Sequence, residues 1–117
     1  MTTEIQTVAF TVPLLPGMTD IDRRVMNACW QGDRRSEYEA SRRRLGITRE
    51  RVWIQPGPDG DVALVVVEST DVQAALAGVA SSPEPFDRWF RDHCRAVHGI
   101  DLEAGFPPPE LVLDFRA

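Results

Sequence analysis

Lysine is missing altogether from this 117-residue chain, so all thirteen of its basic side chains are arginines. That absence excludes Schiff-base chemistry and a lysine general base. Cysteine is scarce as well: Cys29 and Cys94 lie far apart and form no Cys-x-x-Cys pair, which leaves neither a redox motif nor a zinc cluster and predicts reduced, partly buried thiols. No apolar run is long enough to span a bilayer. The opening Met1 to Gln6 lacks the basic and apolar blocks of a secretory signal, so a cytoplasmic protein with no membrane partner is expected. A formal net charge of -5 argues against a general nucleic-acid binder, because phosphate binding needs an excess of accessible cations. Gly57 and Gly60 make no phosphate-cradling fingerprint, so no nucleotide or other cofactor is implied.

What is present is ordinary globular material, 43% apolar and 26% charged, of a length that predicts a single domain over residues 1–117. Residues 5–12 alternate Gln6, Val8, Phe10 and Val12 against Ile5, Thr7, Ala9 and Thr11, the period of a strand, ending at Pro13. Thr19 and Asp22 form a capping-box-like start for a helix carrying Ile21, Val25, Met26, Cys29 and Trp30. Gly32-Asp33 is expected to bend or restart it. The continuation to Leu45 sets Tyr38, Ser41 and Leu45 on one stripe, with Arg42, Arg43 and Arg44 in the last turn and Gly46 as its C-terminal cap. Two β-rich runs follow between Arg51 and Glu68, hinged by a Pro/Gly loop at 55–61. In the second run Val62, Leu64 and Val66 face one way and Ala63, Val65 and Val67 the other, so both faces of that strand need covering. Helices of this chain can cover one, and a second subunit is expected on the other.

Ser69 or Thr70 is expected to cap a short helix through Val79, and Ser81-Ser-Pro-Glu-Pro85 separates it from an amphipathic piece ended by Gly99. There Phe86, Trp89, Phe90, His93, Cys94 and Val97 share one broad face. Residues 100–109 read as a cover loop, and Glu110 to Phe115 as a last strand with Leu111, Leu113 and Phe115 on one side.

The order strand, helix, strand, strand, helix, strand is that of a ferredoxin-like α+β fold, an antiparallel βαββαβ sheet with helices on one face. With its doubly apolar third strand and broken second helix, the chain resembles a subunit of the dimeric α/β barrel proteins, a group that includes antibiotic-biosynthesis-monooxygenase-like domains. The segment from Phe86 to Leu102, followed by Gly-Phe-Pro-Pro-Pro-Glu110, is also similar to small bacterial proteins of unassigned function. The resemblance implies a homodimer with a cavity between sheet and helices and cofactor-independent monooxygenase-like or isomerase-like chemistry. It carries over no catalytic residue, and whether the chain is an enzyme stays open.

The residues themselves nominate His93, an imidazole on the apolar stripe beside Trp89, Phe90 and Cys94. Such a group can act as a base, a ligand hydrogen-bond donor or a metal ligand, or it can be a hydrogen-bonded core histidine. His98, five residues on, is badly spaced for shared chelation, so no metal is expected. Trp53, Arg51 and Gln55 share one strand face and, with Thr7, Ala9 and Thr11, are candidates to line a pocket that binds a small molecule; Trp89 and Phe90 are its candidate walls. The alternative packs Trp53 in a core or dimer interface. Glu68 and Asp114 are acidic residues at strand ends, where such charges are usually solvated. Arg34, Arg35 and the run 42–44 can hold an anion, but are expected to be a solvated helix face paired with Glu37 and Glu39. Three functions compete: a homodimer handling a small apolar or aromatic ligand with His93 moving a proton, a noncatalytic protein-interaction or structural dimer, and a stress or haem-handling member of the resembled group, which needs His93 open to the cavity.

Overall fold

The computed structural model describes residues 4–105 and 107–117. Strand β1 spans Gln6–Pro13, β2 Ile47–Gln55 and β3 Val62–Ser69; helices α1 (Thr19–Gln31) and α2 (Arg35–Arg44) lie between β1 and β2, and α3 (Val72–Ser81) and α4 (Pro85–His98) follow β3. A short 3-10 turn, Leu102–Ala104, comes last. The strands form an open antiparallel sheet in the order β1-β3-β2. This α+β arrangement is compatible with a ferredoxin-like fold, although among the described residues the sheet has three strands.

The expected fourth strand does not form. Residues 107–117 are irregular and exposed throughout, with Leu111, Val112, Leu113 and Phe115 between 77% and 81% accessible. The alternation is there, but strand pairing needs a neighbour, and the free edge of β1 has none among the described residues. The cover loop at 100–109 runs through Phe106, which lies outside the described residues, as do Met1 to Thr3 of the N-terminus.

Strand register fixes the faces. Val8, Val67 and Glu50 lie in one row, Phe10, Val65 and Val52 in the next, then Val12, Ala63 and Ile54. All of these face the helices, and Ile47, Val67 and Ala75 form the core with Val8, Leu45, Val65 and Val79 packed around them. A bulge between Ile47 and Arg49 puts both Ile47 and Glu50 on this side. The opposite face carries Thr7, Ala9, Thr11, Leu64, Val66, Arg51, Trp53 and Gln55.

Helix ends differ from the sequence reading in chemistry more than in place. Met18, not Thr19, is the N-cap of α1; the Thr19 hydroxyl instead donates to Asp61 Oδ2 at 2.6 Å, tying the helix start to the β2–β3 loop. Asp71 caps α3 by accepting from the Ala74 amide, displacing the expected Ser69 or Thr70. Ser69 is used otherwise, donating to the Gly46 carbonyl. Gly46 and Gly99, with φ of 79° and 68°, end α2 and α4 in the left-handed conformation that glycine adopts without strain. Among the described residues no helix is long and apolar enough to cross a membrane.

Candidate functional site

Between the inner sheet face and the helices lies a cavity of about 240 Å³. Its walls are mostly aliphatic, from Val12, Val52, Ala63, Val65 and Val67 of the sheet and Leu76 and Val79 of α3, closed by Phe10 and Phe90. Into this apolar space project Asp22, Arg42, Glu50, His93, Cys94 and His98. Buried polar groups are costly unless paired, so each partner matters.

Asp22 is 1% exposed, in the first turn of α1. His93 Nε2–H donates to its Oδ1 at 2.8 Å, the tautomer following from the fact that a carboxylate can only accept. Both side chains are buried, at 2% and 7% exposure. Among the described residues nothing hydrogen-bonds His93 Nδ1, and Asp22 Oδ2 is buried without a partner. Trp89 stacks on the histidine, centroids 6.1 Å apart and planes 16° from parallel, and the Arg34 guanidinium lies over the Trp89 ring, 3.8 Å from its centroid. The ring is therefore held from one side by a carboxylate and from another by an indole.

A second pair sits deeper against the sheet. Arg42 Nε donates to Glu50 Oε1 at 2.8 Å, and the Tyr38 hydroxyl donates to the same oxygen. The guanidinium lies 4.8 Å from the Tyr38 ring centroid and 4.5 Å from that of Phe90. Burial opposes the Arg42 charge, but Glu50 outweighs it, and the group stays cationic. Burial, then the neighbouring Glu50 charge, pushes the Tyr38 phenol above its usual range and keeps it a donor. The expectation of a solvated 42–44 run therefore holds for Arg43 and fails for the buried Arg42, while Arg44 is exposed as expected but pairs with Asp87, at 2.7 Å, instead of Glu37 or Glu39.

Burial is the main force on both thiols, raising Cys29 to about 11 and Cys94 to about 12, so neither is a thiolate nucleophile at neutral pH. His98 Nδ1–H donates to the Pro13 carbonyl at 2.8 Å, which makes it a strut between α4 and β1. Among the described residues no cluster of histidine, cysteine, aspartate and glutamate fits a metal ion.

The sequence-derived candidates divide cleanly. His93 and Phe90 line the cavity, while Trp89 backs the histidine without lining it. Trp53, Arg51, Gln55, Thr7 and Thr11 do share one face, as expected, but it is the outer face, turned away from the cavity. There the Arg51 guanidinium pairs with Glu68 at 3.5 Å and sits 5.3 Å from the Trp53 ring, itself 47% exposed. Asp22, Arg42 and Glu50 went unrecognised as site residues. A signal for one of them was available: Asp22, Met26 and Cys29 fall at helical spacings of four and three, so an acid occupies an apolar stripe. Compared with protein-family models and with curated proteins, the chain matches none.

Proposed function

We propose that this chain, as one domain, forms a homodimeric α/β barrel that binds a small apolar or aromatic molecule in the helix-side cavity. There His93 takes up a proton in cofactor-independent monooxygenase-like or isomerase-like chemistry. The observation that carries the reading is the buried Asp22–His93 pair on the wall of a mostly apolar cavity. With Nε2–H committed to Asp22, the lone pair of Nδ1 is the site left to take a proton. The half-exposed Leu64 and Val66 and the exposed Trp53 on the uncovered sheet face support the second copy as partner.

Native mass spectrometry of freshly purified protein is the first test, with a dimer carrying retained mass as the expected result. Once the retained molecule is identified, His93→Ala is expected to lower turnover at least 100-fold, as loss of a general base does. Unchanged affinity and turnover in that variant would remove His93 from the chemistry. The competing reading, a noncatalytic interaction dimer, is favoured by the exposed apolar tail Leu111 to Phe115; a dimer whose cavity takes up no ligand is its signature.

A further inference from the structure

Every polar group on the cavity wall can be asked which hydrogen bond it still lacks. Oε1 of Glu50 accepts from both Arg42 Nε and the Tyr38 hydroxyl. His98 spends its Nδ1–H on Pro13. Cys94, as a thiol, offers only a weak donor and acceptor. Among the described residues what remains open are acceptors, Oε2 of Glu50, Nε2 of His98, Nδ1 of His93 and Oδ2 of Asp22, and of these Asp22 Oδ2 is the one fully buried without a partner, beside the oxygen that takes the His93 Nε2–H at 2.8 Å. An unpaired buried carboxylate oxygen costs free energy, and a group that supplies a proton donor there recovers it.

The charge on the wall narrows the choice further. Asp22 and Glu50 are two anions facing one guanidinium, Arg42, and that cation is already paired and sandwiched between the Tyr38 and Phe90 rings. A carboxylate or phosphate ligand entering here would meet acceptors and a surplus of negative charge. A cation would lose its hydration against walls that are almost entirely aliphatic and aromatic. The volume, about 240 Å³, lies just below the ~300–1,000 Å³ of drug-sized ligand sites, which suits a one- or two-ring molecule.

We infer that the cavity selects a neutral aromatic alcohol, a phenol-class molecule whose hydroxyl donates to Asp22 Oδ2 while its ring lies among the aliphatic walls and Phe90. This deepens the cavity reading above and rests on it. Asp22 is then the specificity-determining residue: a site built to accept a hydroxyl rejects the analogue that lacks one, because the buried acceptor is left unpaired. An anionic analogue is rejected by the same carboxylate.

The test compares naphthalene, 1-naphthol, 1-methoxynaphthalene and 1-naphthoate on the full-length protein by calorimetric titration, with amide chemical shifts of Phe90 and Cys94 reporting occupancy of the cavity. The expected order is 1-naphthol bound at least about tenfold more tightly than naphthalene or the methyl ether, the value of a hydrogen bond to a charged acceptor, and no detectable binding of naphthoate. Asp22→Asn is expected to bring 1-naphthol down to within threefold of naphthalene without weakening naphthalene itself. Naphthalene and naphthol binding equally, or naphthoate binding best, would overturn the inference while leaving an apolar cavity site intact. Failure of all four probes to shift Phe90 and Cys94 would overturn the cavity reading itself. Because the methyl ether removes the donor from the ligand, the wild-type protein alone decides the matter if Asp22→Asn does not fold.

Discussion

The covered face of the sheet carries an ionised pair, Glu50 with Arg42, whereas the bare face carries Trp53, Leu64 and Val66. The inner face is otherwise apolar and the outer one carries Thr7, Thr11, Arg51 and Gln55 as well, so the ionised pair turned inward and the three apolar side chains turned outward are the exceptions to what burial energetics favour for an isolated chain. The two faces teach different things. On the inner one, charge is tolerated because the charged groups are paired, and the fully buried oxygen that lacks a partner, Asp22 Oδ2, belongs to a residue that lines the cavity. On the outer one, apolar side chains tolerate solvent because nothing among the described residues covers them, and their cost is recovered only by a surface from outside the subunit.

The inner network is where the comparison breaks most visibly. Glu50→Ala leaves the Arg42 guanidinium and the Tyr38 hydroxyl buried without their acceptor, and an orphaned buried charge costs about 3–5 kcal/mol. Urea denaturation is expected to show that loss, with little change in the slope of the transition. A loss below about 1 kcal/mol would mean that Arg42 escapes to solvent and that the pair is not part of a closed interior.

Asp87 gives the next largest effect and adds a pH signature. It is 2% exposed at the start of α4, and it accepts from Ser41, Ser82 and Arg44, joining α2 to the α3–α4 connection. Burial opposes its charge, but those hydrogen bonds prevail and hold the carboxyl below its ordinary value of 3.8. The folded state therefore binds this proton less readily than the unfolded chain does. The resulting stabilisation is full above about pH 4 and is lost as pH falls through the lower folded value. Asp87→Ala is expected to cost about 1.5–3 kcal/mol at pH 7. Between pH 5 and pH 2, the wild type should lose more stability than the variant; parallel pH profiles would show that some other carboxylate governs acid unfolding. At the alkaline end Cys29 and Cys94 act with the opposite sign. Their thiols are raised to about 11 and about 12, so the stability they contribute is whole below pH 9 and declines as pH climbs toward those values. Replacing both by alanine is expected to flatten the alkaline limb of the stability profile, read from urea midpoints between pH 8 and pH 11.

How much of this was legible in the sequence follows from what each pattern can encode. Helix α4 was, because Phe86, Phe90, Cys94 and Val97 repeat at helical spacing and Gly99 stops it, and that put His93 on the inward stripe. The outer set Arg51, Trp53 and Gln55 was also grouped correctly, since period two fixes who shares a face. Which face the helices would cover was not encoded: β3 is apolar on both sides, so alternation gives no sign. Asp22 was read as a helix-start residue because its partner lies seventy-one positions away in the chain. Arg42 disappeared into a run of three arginines, although its spacing of four from Tyr38 places it on the inward stripe. The tail 110–115 alternates as a strand does, but pairing depends on an edge that periodicity cannot supply.

The smallest effect on the fold belongs to the outer face, and there a null result in one measurement gives force to another. Trp53 is 47% exposed and touches the Arg51 guanidinium rather than the core. Trp53→Glu is therefore expected to change the stability of the dilute subunit by no more than about 0.5 kcal/mol, as surface substitutions do. If the proposed homodimer closes over this face, the wild type becomes more stable as its concentration rises, since association stabilises the folded state by mass action. The variant, with a charge placed among Leu64, Val66 and Thr11, should lose that concentration dependence and sediment as a monomer. A variant that stays dimeric would move the interface away from the sheet, to the free β1 edge or the apolar tail. A variant destabilised by more than about 1 kcal/mol at low concentration would mean that Trp53 supports the subunit itself. In either case the inner cavity and its Asp22–His93 pair are left standing, because no residue of the outer row lines it.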